Sequence, residues 1–474
     1  MPAGMRILAH RPPRIMEWNL MEKSEKEIRE LLDRAEQPAK DAMPLHAFYR
    51  GKIETGIRCC IRDINDFSIW YSPGVAAPCR AIAENPEHVY DYTSKWNTVA
   101  VVSDGSRVLG LGDIGPKAGL PVMEGKAILY KYLGGVDAWP IVLDVHEEQK
   151  IIDTVLALQP GLGGVNLEDI AAPKCFRILR ALRERAEIPI WHDDQQGTAT
   201  VTLAGLINAL LVVGKKLEDV SIVFLGAGAA NLACARLIFM AGAQAERCRI
   251  LDRKGALGLH RADLRDRSEE FADKWEMCRK TNRAGFQGGT DEALRDADVV
   301  IALSQSGPGV LRPEWIRAMA EGPIVFACAN PIPEIWPWEA KSAGAAVVAT
   351  GRSDFPNQVN NSLGFPGIFR GTLDARASTI SDGMCLAAAH ALADYAARKG
   401  LKADYILPTM DEWEVFAYEA AAVTQQAIRE GLAKRTVAEV EEFEFAKREI
   451  RRARDITEIL MREKLIPSAP TIDP

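Results

Sequence analysis

Apolar runs rich in valine and isoleucine alternate with helix-like stretches in the first half of the chain. Four runs predict strands: "TVAVVSD" (98–104), "WPIVLDV" (139–145), "GGVNLED" (163–169) and "IPIWHDD" (188–194). The segments "EEQKIIDTVLALQ" (147–159) and "APKCFRILRALRER" (172–185) repeat apolar residues every three or four positions, as amphipathic helices do. This alternation predicts a parallel sheet with helices on both faces.

A second alternating unit follows. It starts at "VSIVFLGAGAAN" (220–231), an apolar strand that runs into a glycine turn and a helix, and continues through "CRILDRKG" (248–255), "ADVVIALS" (297–304), "GPIVFACANP" (322–331) and "AAVVATGRSD" (345–354). Residues 198–214 predict a long apolar helix packed between domains, residues 255–289 a charged helical insertion, and the chain after 364 a helical segment. At the N-terminus we expect loose order over residues 1–14 and a helix over 17–36.

Composition limits the protein classes that fit. A chain of 474 residues predicts two or three domains. A net charge of −7 without a long basic run disfavours nucleic acid and anionic membranes as partners. The longest apolar run, residues 203–213, is too short to span a bilayer, and no apolar segment follows the N-terminal arginines as in a signal peptide. Nine cysteines without regular spacing fit reduced thiols, so we expect a cytoplasmic protein.

A glycine motif follows the first strand of the second unit. Gly226 and Gly228 occupy the first two positions of a dinucleotide fingerprint, and Asn231 occupies the third. The first glycine permits a tight turn, and the second lets the backbone approach a pyrophosphate at a helix N-terminus. Asp252 ends the next strand, where an acid bonds a ribose hydroxyl. The pattern predicts nucleotide binding; the alternative is a glycine-rich turn without a ligand.

Two acid pairs follow two predicted strands. Glu168 and Asp169 end one strand, and Asp193 and Asp194 end another. Adjacent acids within a strand point to opposite faces, but at its carboxyl end they can converge on one point. Oxygen ligands without cysteine suit a hard ion, Mg²⁺ or Mn²⁺. The alternative is helix capping by Asp169 and Asp194, which explains one acid per pair. We interpret the neighbouring His192 as a packed histidine rather than a ligand.

Residues 104–126 form a glycine-rich stretch with few charges. Arg107 and Lys126 stand out in it. A lysine in such surroundings can act as a base with a lowered pKa, although a surface lysine would fit the sequence as well. Tyr71, before Ser-Pro-Gly, is on its own most simply a turn anchor.

Together these stretches resemble the malic enzymes, in the short form of bacteria and archaea. The matching motifs are "YSPGVAAPC", "DGSRVLGLGDIGPKAGLPVMEGK", "GGVNLEDIAAPKCF", "HDDQQGTA", "GAGAAN", "ANPIPEI", "GRSDFPNQVNN" and "FPGIFRG", in order between about residues 45 and 440. The resemblance implies oxidative decarboxylation of L-malate to pyruvate and CO₂, with NAD or NADP and a divalent metal.

The resemblance also implies roles, residue by residue. They are metal ligation by Glu168, Asp169 and Asp194; general base Lys126, general acid Tyr71 and Asp193 as support for the lysine; malate binding by Arg107, Asn330 and Asn361; and cofactor contacts by Gly226, Ala227, Gly228, Ala229, Ala230, Asp252, Arg253 and Asn330.

Two positions depart from the family pattern. Asn231 stands where the family has Gly or Ala, which weakens the expectation for cofactor affinity. Gln196 replaces a histidine common in bacterial members, although larger members carry glutamine there.

We therefore expect an α/β protein. Residues 1–192, joined by the helical segment 361–474, would form an α/β substrate and metal domain, and residues 193–360 a Rossmann-type dinucleotide-binding domain. NAD is the expected cofactor, with NADP possible, and a homodimer or higher homo-oligomer the expected assembly. The alternatives are an oxaloacetate decarboxylase or related 2-hydroxy or 2-keto acid enzyme on the same site, or an inactive nucleotide-sensing relative.

Overall fold

The computed structural model describes residues 25–471, and its first half is built around a four-stranded sheet. The elements of this half are α1 Glu25–Tyr49, α2 Phe67–Trp70, α3 Ala76–Glu84, α4 Val89–Tyr92, β1 Thr98–Ser103, α5 Pro116–Gly134, β2 Asp137–Val142, α6 Glu148–Leu158, β3 Gly164–Leu167, α7 Lys174–Arg185 and β4 Ile190–His192. Of the helix expected over residues 17–36, only the part from Glu25 onward lies among the described residues, where α1 continues to Tyr49. Residues 1–14 lie outside them.

A second sheet and a group of helices complete the chain. Their elements are α8 Thr198–Val213, β5 Ile222–Leu225, α9 Ala229–Met240, β6 Arg249–Asp252, β7 Gly255–Ala256, α10 Ala262–Arg265, α11 Ala272–Lys280, α12 Thr290–Leu294, β8 Val299–Ala302, α13 Pro313–Arg317, β9 Ile324–Ala327, α14 Pro337–Ser342, β10 Val347–Thr350, α15 Phe365–Asp374, α16 Asp382–Lys399, α17 Val415–Arg429 and α18 Glu439–Arg462. Residues 255–289 are not wholly helical, because Gly255–Ala256 turns back and pairs antiparallel with β6.

The first sheet has the strand order β2-β1-β3-β4, and all its pairs are parallel. Val102 in β1 lies opposite Leu167 in β3, and Leu167 lies opposite His192 in β4. Three strands therefore end at one level, and the acids that follow them share one edge of the sheet. That edge is where open α/β sheets bind ligands.

The second sheet has the order β10-β9-β8-β5-β6-β7. Its first strand, β5, lies between β6 and β8, so the chain reverses its direction of travel across the sheet there. Gly226 follows β5 at this switch point with a φ of +102°, and an added Cβ would lie 2.6 Å from the Leu303 carbonyl oxygen. Only glycine fits this turn without strain. The α/β fold with a Rossmann-type second sheet confirms the predicted fold class.

The predicted apolar helix packs between the two sheets and the C-terminal helices. Among the described residues, one continuous helical segment, Asp193–Val213, is long and apolar enough to cross a membrane, whereas the sequence run alone is too short. Since 72% of its apolar window is buried inside the protein, it is a core helix. Asn208 fixes it there, because its amide donates to the carbonyl oxygens of Ala393 (2.9 Å) and Ile406 (2.8 Å).

Candidate active site

Three carboxylates converge at the edge of the first sheet. Glu168 and Asp169 follow β3, and Asp194 lies in a π-helix, Asp193–Gly197, that follows β4. One oxygen of each of Glu168, Asp169 and Asp194 lies within 4.8 Å of the others. Asp169 has a left-handed backbone with φ +53°, and this turn lets two adjacent acids face one point.

The cluster fits a divalent cation. The Oδ2 atom of Asp169 is buried without a hydrogen-bond partner among the described residues. Burial, followed by the charge of Asp194, raises the pKa of Asp169 to about 7, and burial raises the pKa of Glu168 well above its ordinary value. Buried carboxylates of this kind are costly unless a cation compensates them, and an all-oxygen set suits Mg²⁺ or Mn²⁺.

Helix capping does not account for these acids. Asp194 lies inside the π-helix, and the N-cap positions of α7 and α8 are Pro173 and Gly197, neither of which makes a side-chain cap. The capping alternative is therefore wrong. His192 is fully buried, its ring nitrogens have no hydrogen-bond partner among residues 25–471, and burial lowers its pKa. These properties are those of a packed histidine.

Lys126 extends from α5 into the same cluster. Its Nζ atom lies 2.5 Å from Asp193 Oδ2 and 3.0 Å from Glu168 Oε1, over the Phe365 ring at 4.6 Å. Burial alone would lower the pKa of Lys126, but the charges of Asp193 and Glu168 outweigh burial and hold its pKa above the ordinary lysine value. The expected lowering of this pKa is therefore wrong for the arrangement described, because two carboxylates from distant segments contact the amine.

Asp193 is held on its other side. Its Oδ1 atom accepts from Trp191 Nε1 at 3.0 Å, and the side chain is fully buried. An added Cβ at Gly197 would collide with Asp193 Oδ1 and lie 3.1 Å from Asn361 Cβ. Gly197 is thus a site residue that the sequence analysis missed, although it stands inside the quoted "HDDQQGTA". Asp193 and Asn361 thus lie on either side of the Gly197 backbone, which places Asn361 close to the Lys126–Asp193 pair.

The loop after β1 is fastened to the metal-binding loop. The Arg107 amide donates to the Asp169 carbonyl (3.0 Å), and the Leu109 amide to Asp169 Oδ1 (3.3 Å). The Ala171 amide donates to Ser106 Oγ at 2.9 Å. The Arg107 guanidinium donates to its own loop at Leu109 O.

A buried ion pair reinforces this loop junction. Asp104 is fully buried and accepts from Ser106 Oγ (2.6 Å) and from the Lys174 ammonium group at the start of α7. Asp104, Ser106 and Lys174 were not predicted. They lie in the quoted motifs, but their pairing joins residues 70 positions apart.

Asn330 follows β9 on the second sheet and is exposed. An added Cβ at Gly110 would lie 2.5 Å from the Asn330 carbonyl oxygen, so the Arg107 loop touches the edge of the second sheet. Tyr71, in contrast, has a 73% exposed side chain with no hydrogen bond among the described residues. The structure brings Lys126, Asp193, Asn361 and the metal-binding acids together, and it does not bring Tyr71 into contact with them.

The glycine loop of the second sheet opens directly into α9, which starts at Ala229 after Gly228. Asn231 is fully buried, and its amide donates to the carbonyl oxygens of Leu225 (2.8 Å) and Gly226 (2.9 Å). This asparagine therefore braces the turn instead of filling the close helix–sheet contact that a smaller residue makes.

Asp252 ends β6 but is already paired. Arg261 binds both of its oxygens, with Nη1–Oδ1 at 2.8 Å and Nη2–Oδ2 at 3.0 Å, and the Lys254 amide adds a bond of 2.9 Å. Burial opposes ionisation of Asp252, but the Arg261 hydrogen bonds outweigh it and hold the pKa below its ordinary value. Arg261 was missed because it follows the strand by nine residues. Arg253 is exposed.

Comparison with known proteins agrees with this arrangement. The family model "Malic enzyme, N-terminal domain" matches residues 50–183, and "Malic enzyme, NAD binding domain" matches residues 195–428. The chain belongs to the malic enzyme family.

Malic enzymes of several organisms resemble the chain over most of its length. A bifunctional malic/malolactic enzyme of Bacillus subtilis is 48% identical over 84% of this chain and 95% of its own. An NAD-dependent malic enzyme of Geobacillus stearothermophilus is 49% identical over 81% of this chain and 78% of its own. The NADP-dependent malic enzyme of Halomonas elongata is 46% identical over 81% of this chain and 92% of its own.

Solved malic enzyme structures superpose closely. That of Entamoeba histolytica gives a TM-score of 0.92 at 46% identity, over 95% of this chain and 93% of its own. That of Pyrococcus horikoshii gives 0.83 at 48% identity, over 92% of this chain and 99% of its own. Because similar malic enzymes are named for both NAD and NADP, the family alone does not decide between the two cofactors.

Proposed function

We propose that this malic enzyme family member oxidises L-malate to pyruvate and CO₂, with reduction of NAD(P) and a divalent cation, Mg²⁺ or Mn²⁺. The observation that carries the proposal is the buried contact of Lys126 with Asp193 and Glu168, beside the three-carboxylate cluster. Hydride transfer from C2 of malate requires a base for the 2-hydroxyl proton, and decarboxylation requires a polarised keto oxygen. This cluster supplies groups for both.

Glu168, Asp169 and Asp194 would hold the cation, which when bound polarises the oxygen at C2 as a Lewis acid. The charge of Glu168 then no longer acts on Lys126 alone, which weakens one of the two interactions that raise the pKa of this lysine. Lys126 takes the proton from the 2-hydroxyl while C2 gives a hydride to the nicotinamide. Asp193 orients the amine and stabilises the positive charge that develops on it when it takes the proton.

The substrate carboxylates need cationic or amide partners. We assign them to Arg107, Asn330 and Asn361. Arg107 lies on the loop bonded to Asp169, Asn361 lies beside Gly197, and Asn330 abuts Gly110 on the opposite sheet. A dicarboxylate of malate's size would lie between these three side chains, with its reacting carbon toward Lys126.

Loss of CO₂ leaves an enolate that takes a proton at C3, and we assign this proton to the Tyr71 hydroxyl.

Tyr71 lies on an exposed apolar surface over residues 57–75. The large side chains of this surface are Ile57, Ile61, Ile64, Phe67, Ile69, Trp70, Tyr71 and Val75. A group of neighbouring, exposed, large apolar side chains on a protein in water marks an interaction site. We propose that a second copy of the chain covers it in a homodimer or higher homo-oligomer.

We assign the cofactor pyrophosphate to the turn formed by Gly226, Ala227, Gly228, Ala229 and Ala230, at the N-terminus of α9. Asn330, which follows β9 two strands away from β5 in the same sheet, would contact the nicotinamide half. Asp252 and Arg253 are assigned to the adenosine ribose, and we retain NAD as the preferred cofactor with use of NADP. The nine cysteines, all without disulfides, support a reducing, cytoplasmic location.

One assay tests the proposed function. Purified enzyme with Mn²⁺ receives malate as sole substrate, with NAD and NADP in separate reactions, and reduced cofactor, pyruvate and lactate are measured. Equal amounts of reduced cofactor and pyruvate are expected. Decarboxylation of oxaloacetate without malate oxidation would favour the alternative enzyme, and nucleotide binding without turnover of any of these acids would favour the sensor.

A further inference from the structure

A cavity of about 460 Å³ lies between α7, α9 and the start of α16, where the two sheets and the C-terminal helices meet. Its volume falls within the range of small-molecule sites, about 300–1,000 Å³. None of the residues assigned above to metal, malate or cofactor lines it. It is therefore separate from the candidate active site.

Three arginines line the cavity, and Arg180 among them is exposed at its mouth. Arg180 and Arg183 enter from α7, and Arg236 enters from α9. Asp273 pairs with two of them, at 2.5 Å from Arg236 and 3.6 Å from Arg180, and Glu276 adds a second carboxylate to Arg236 at 2.7 Å. Arg183 has no carboxylate partner among the described residues; its Nη2 donates instead to the Ile380 carbonyl.

The remaining acids of the lining do not compensate Arg183. Glu184 and Asp382 also line the cavity, but both are exposed, and neither forms an ion pair with its arginines among residues 25–471. Their charges are solvated at the mouth, where water screens them. Arg183 is thus the arginine of the lining whose charge no carboxylate among the described residues balances.

Two buried donors on the lining have no acceptor. The Nε atom of Arg183 and the Nε2 atom of Gln195 are buried without a hydrogen-bond partner among the described residues, and Gln195 is 5% exposed. Unsatisfied buried donors are rare in folded proteins and call for a bound acceptor. Both are donors, so the missing partner carries oxygens that accept hydrogen bonds.

The π-helix connects this cavity to the metal-binding acids. Within Asp193–Gly197, Asp193 and Asp194 face Lys126 and the metal-binding acids, whereas Gln195 and Gln196 line the cavity. π-helical turns are rare and concentrate at functional sites. A ligand that contacts Gln195 therefore acts on the residue next to a proposed metal ligand.

We propose that this cavity is an effector site for a small anion with carboxylate or phosphate oxygens. Binding of the anion changes the affinity of the metal site for its cation through the π-helix. The anion accepts from Arg183 and Gln195 and balances the charge of Arg183, with Arg180 beside it on the same lining. The binding part of this proposal is independent of the reaction proposed above.

The test uses thermal melting of the Mn²⁺-loaded enzyme with succinate or inorganic phosphate, against sodium chloride of equal ionic strength. Four proteins are compared: wild type, Arg183→Gln, Arg180→Gln and Arg185→Gln. Arg185 is a matched control, because it lies on the same helix outside the cavity and pairs with Asp153 on the surface.

At least one probe should raise the melting temperature of wild type and Arg185→Gln by roughly 2 °C or more. Arg183→Gln and Arg180→Gln should lose most of that shift. Equal shifts in all four proteins would mean that the anion binds elsewhere, for example as a malate analogue, and would overturn the proposal. No shift beyond that of sodium chloride with either probe would overturn it as well. A response to phosphate alone or to succinate alone identifies the anionic group.

The link to the metal is measured separately, as the Mn²⁺ concentration that gives half-maximal quenching of tryptophan fluorescence. The effective probe should change it by about 5-fold, at the lower end for coupled sites, in wild type and not in Arg183→Gln. A shift in melting temperature with an unchanged Mn²⁺ titration would overturn the link between the two sites.

Discussion

The Nζ atom of Lys126 lies 2.5 Å from Oδ2 of Asp193, and both side chains are buried. The amine comes from α5 and the acid from the π-helix after β4, so the pair joins these two elements in the proposed active site. Because both groups are withdrawn from water, each depends on the other for its charge.

Lys126→Ala should lower turnover by about two to four orders of magnitude, as loss of a general base does. Cofactor binding should persist, because the glycine turn lies on the other sheet. Steady-state kinetics and a nucleotide titration measure the two effects. Lys131→Ala is the matched control on the same helix, since Lys131 is partly exposed and pairs with Asp137. Turnover of Lys126→Ala within a few-fold of wild type would remove this lysine from the mechanism.

Asp194→Asn should weaken Mn²⁺ binding and abolish activity while the melting temperature stays near that of wild type. A neutral amide is a poorer ligand for a hard cation, yet it has the same shape as the acid. Metal affinity and thermal melting are measured on the same preparation. Unchanged Mn²⁺ affinity would exclude Asp194 as a ligand, whatever happens to activity.

Lys174→Met should lower the free energy of unfolding by about 3 kcal/mol, because the buried carboxylate of Asp104 loses its lysine and keeps Ser106 and the exposed ring of His146, 3.3 Å away, as partners. Urea unfolding measures the effect. The double variant Asp104→Asn, Lys174→Met should recover part of the loss. Lys150→Ala removes an exposed pair with Glu147 and should change stability by less than about 1 kcal/mol. Equal losses of stability in Lys174→Met and Lys150→Ala would contradict the role given to Asp104.

The same pair gives a pH dependence. Burial opposes ionisation of Asp104, but hydrogen bonds from Lys174 and Ser106 outweigh it and hold the pKa below its ordinary value. A depressed pKa in the folded state contributes stability above the unfolded value, about 3.9, and this contribution is lost as pH falls through the folded value. In Lys174→Met the burial of Asp104 is no longer outweighed, so its pKa rises. The stability difference between wild type and this variant should therefore be largest where Asp104 is ionised in both proteins, and it should shrink as pH falls from the raised pKa of the variant towards the depressed pKa of the wild type. Urea unfolding at a series of pH values measures it, and a difference that grows toward acid would contradict this sign.

Cofactor preference should depend on the charge of Asp252. We expect NAD to be preferred about 10-fold in kcat/KM, roughly 1.4 kcal/mol. Asp252→Ala should narrow or reverse this preference, because it removes a charge that repels the 2′-phosphate. Arg261→Gln should widen it, because it uncovers that charge. Kinetics with both cofactors measure the ratio. A ratio that neither variant changes, or a wild type that strongly favours NADP, would show that Asp252 does not face the ribose.

The strand-end acids were predictable because their signal is local. Glu168 and Asp194 each follow an apolar run that identifies a strand, and the parallel sheet then brings such ends to one edge. Gly226 was predictable for the same reason, since its strand, turn and helix are consecutive.

Contacts between distant segments were not predictable in this way. Lys174 meets Asp104, Arg261 takes both oxygens of Asp252, and Asn231 braces a turn instead of packing as a small residue. The direction of the Lys126 pKa shift was wrong for a related reason. Its sign depends on how close Asp193 and Glu168 approach, which the residue types alone do not give.

The left-handed backbone at Asp169 limits how this position can evolve. Asparagine and aspartate adopt this backbone with less strain than most side chains, and glycine adopts it freely. A homologue that has lost its cation therefore faces two separate costs at this position. One is a buried carboxylate without a compensating cation, and the other is the strain of most side chains in a left-handed backbone. Asparagine and glycine remove the charge and also tolerate the left-handed backbone. Homologues that have lost the cation should accordingly carry one of these two residues at this turn.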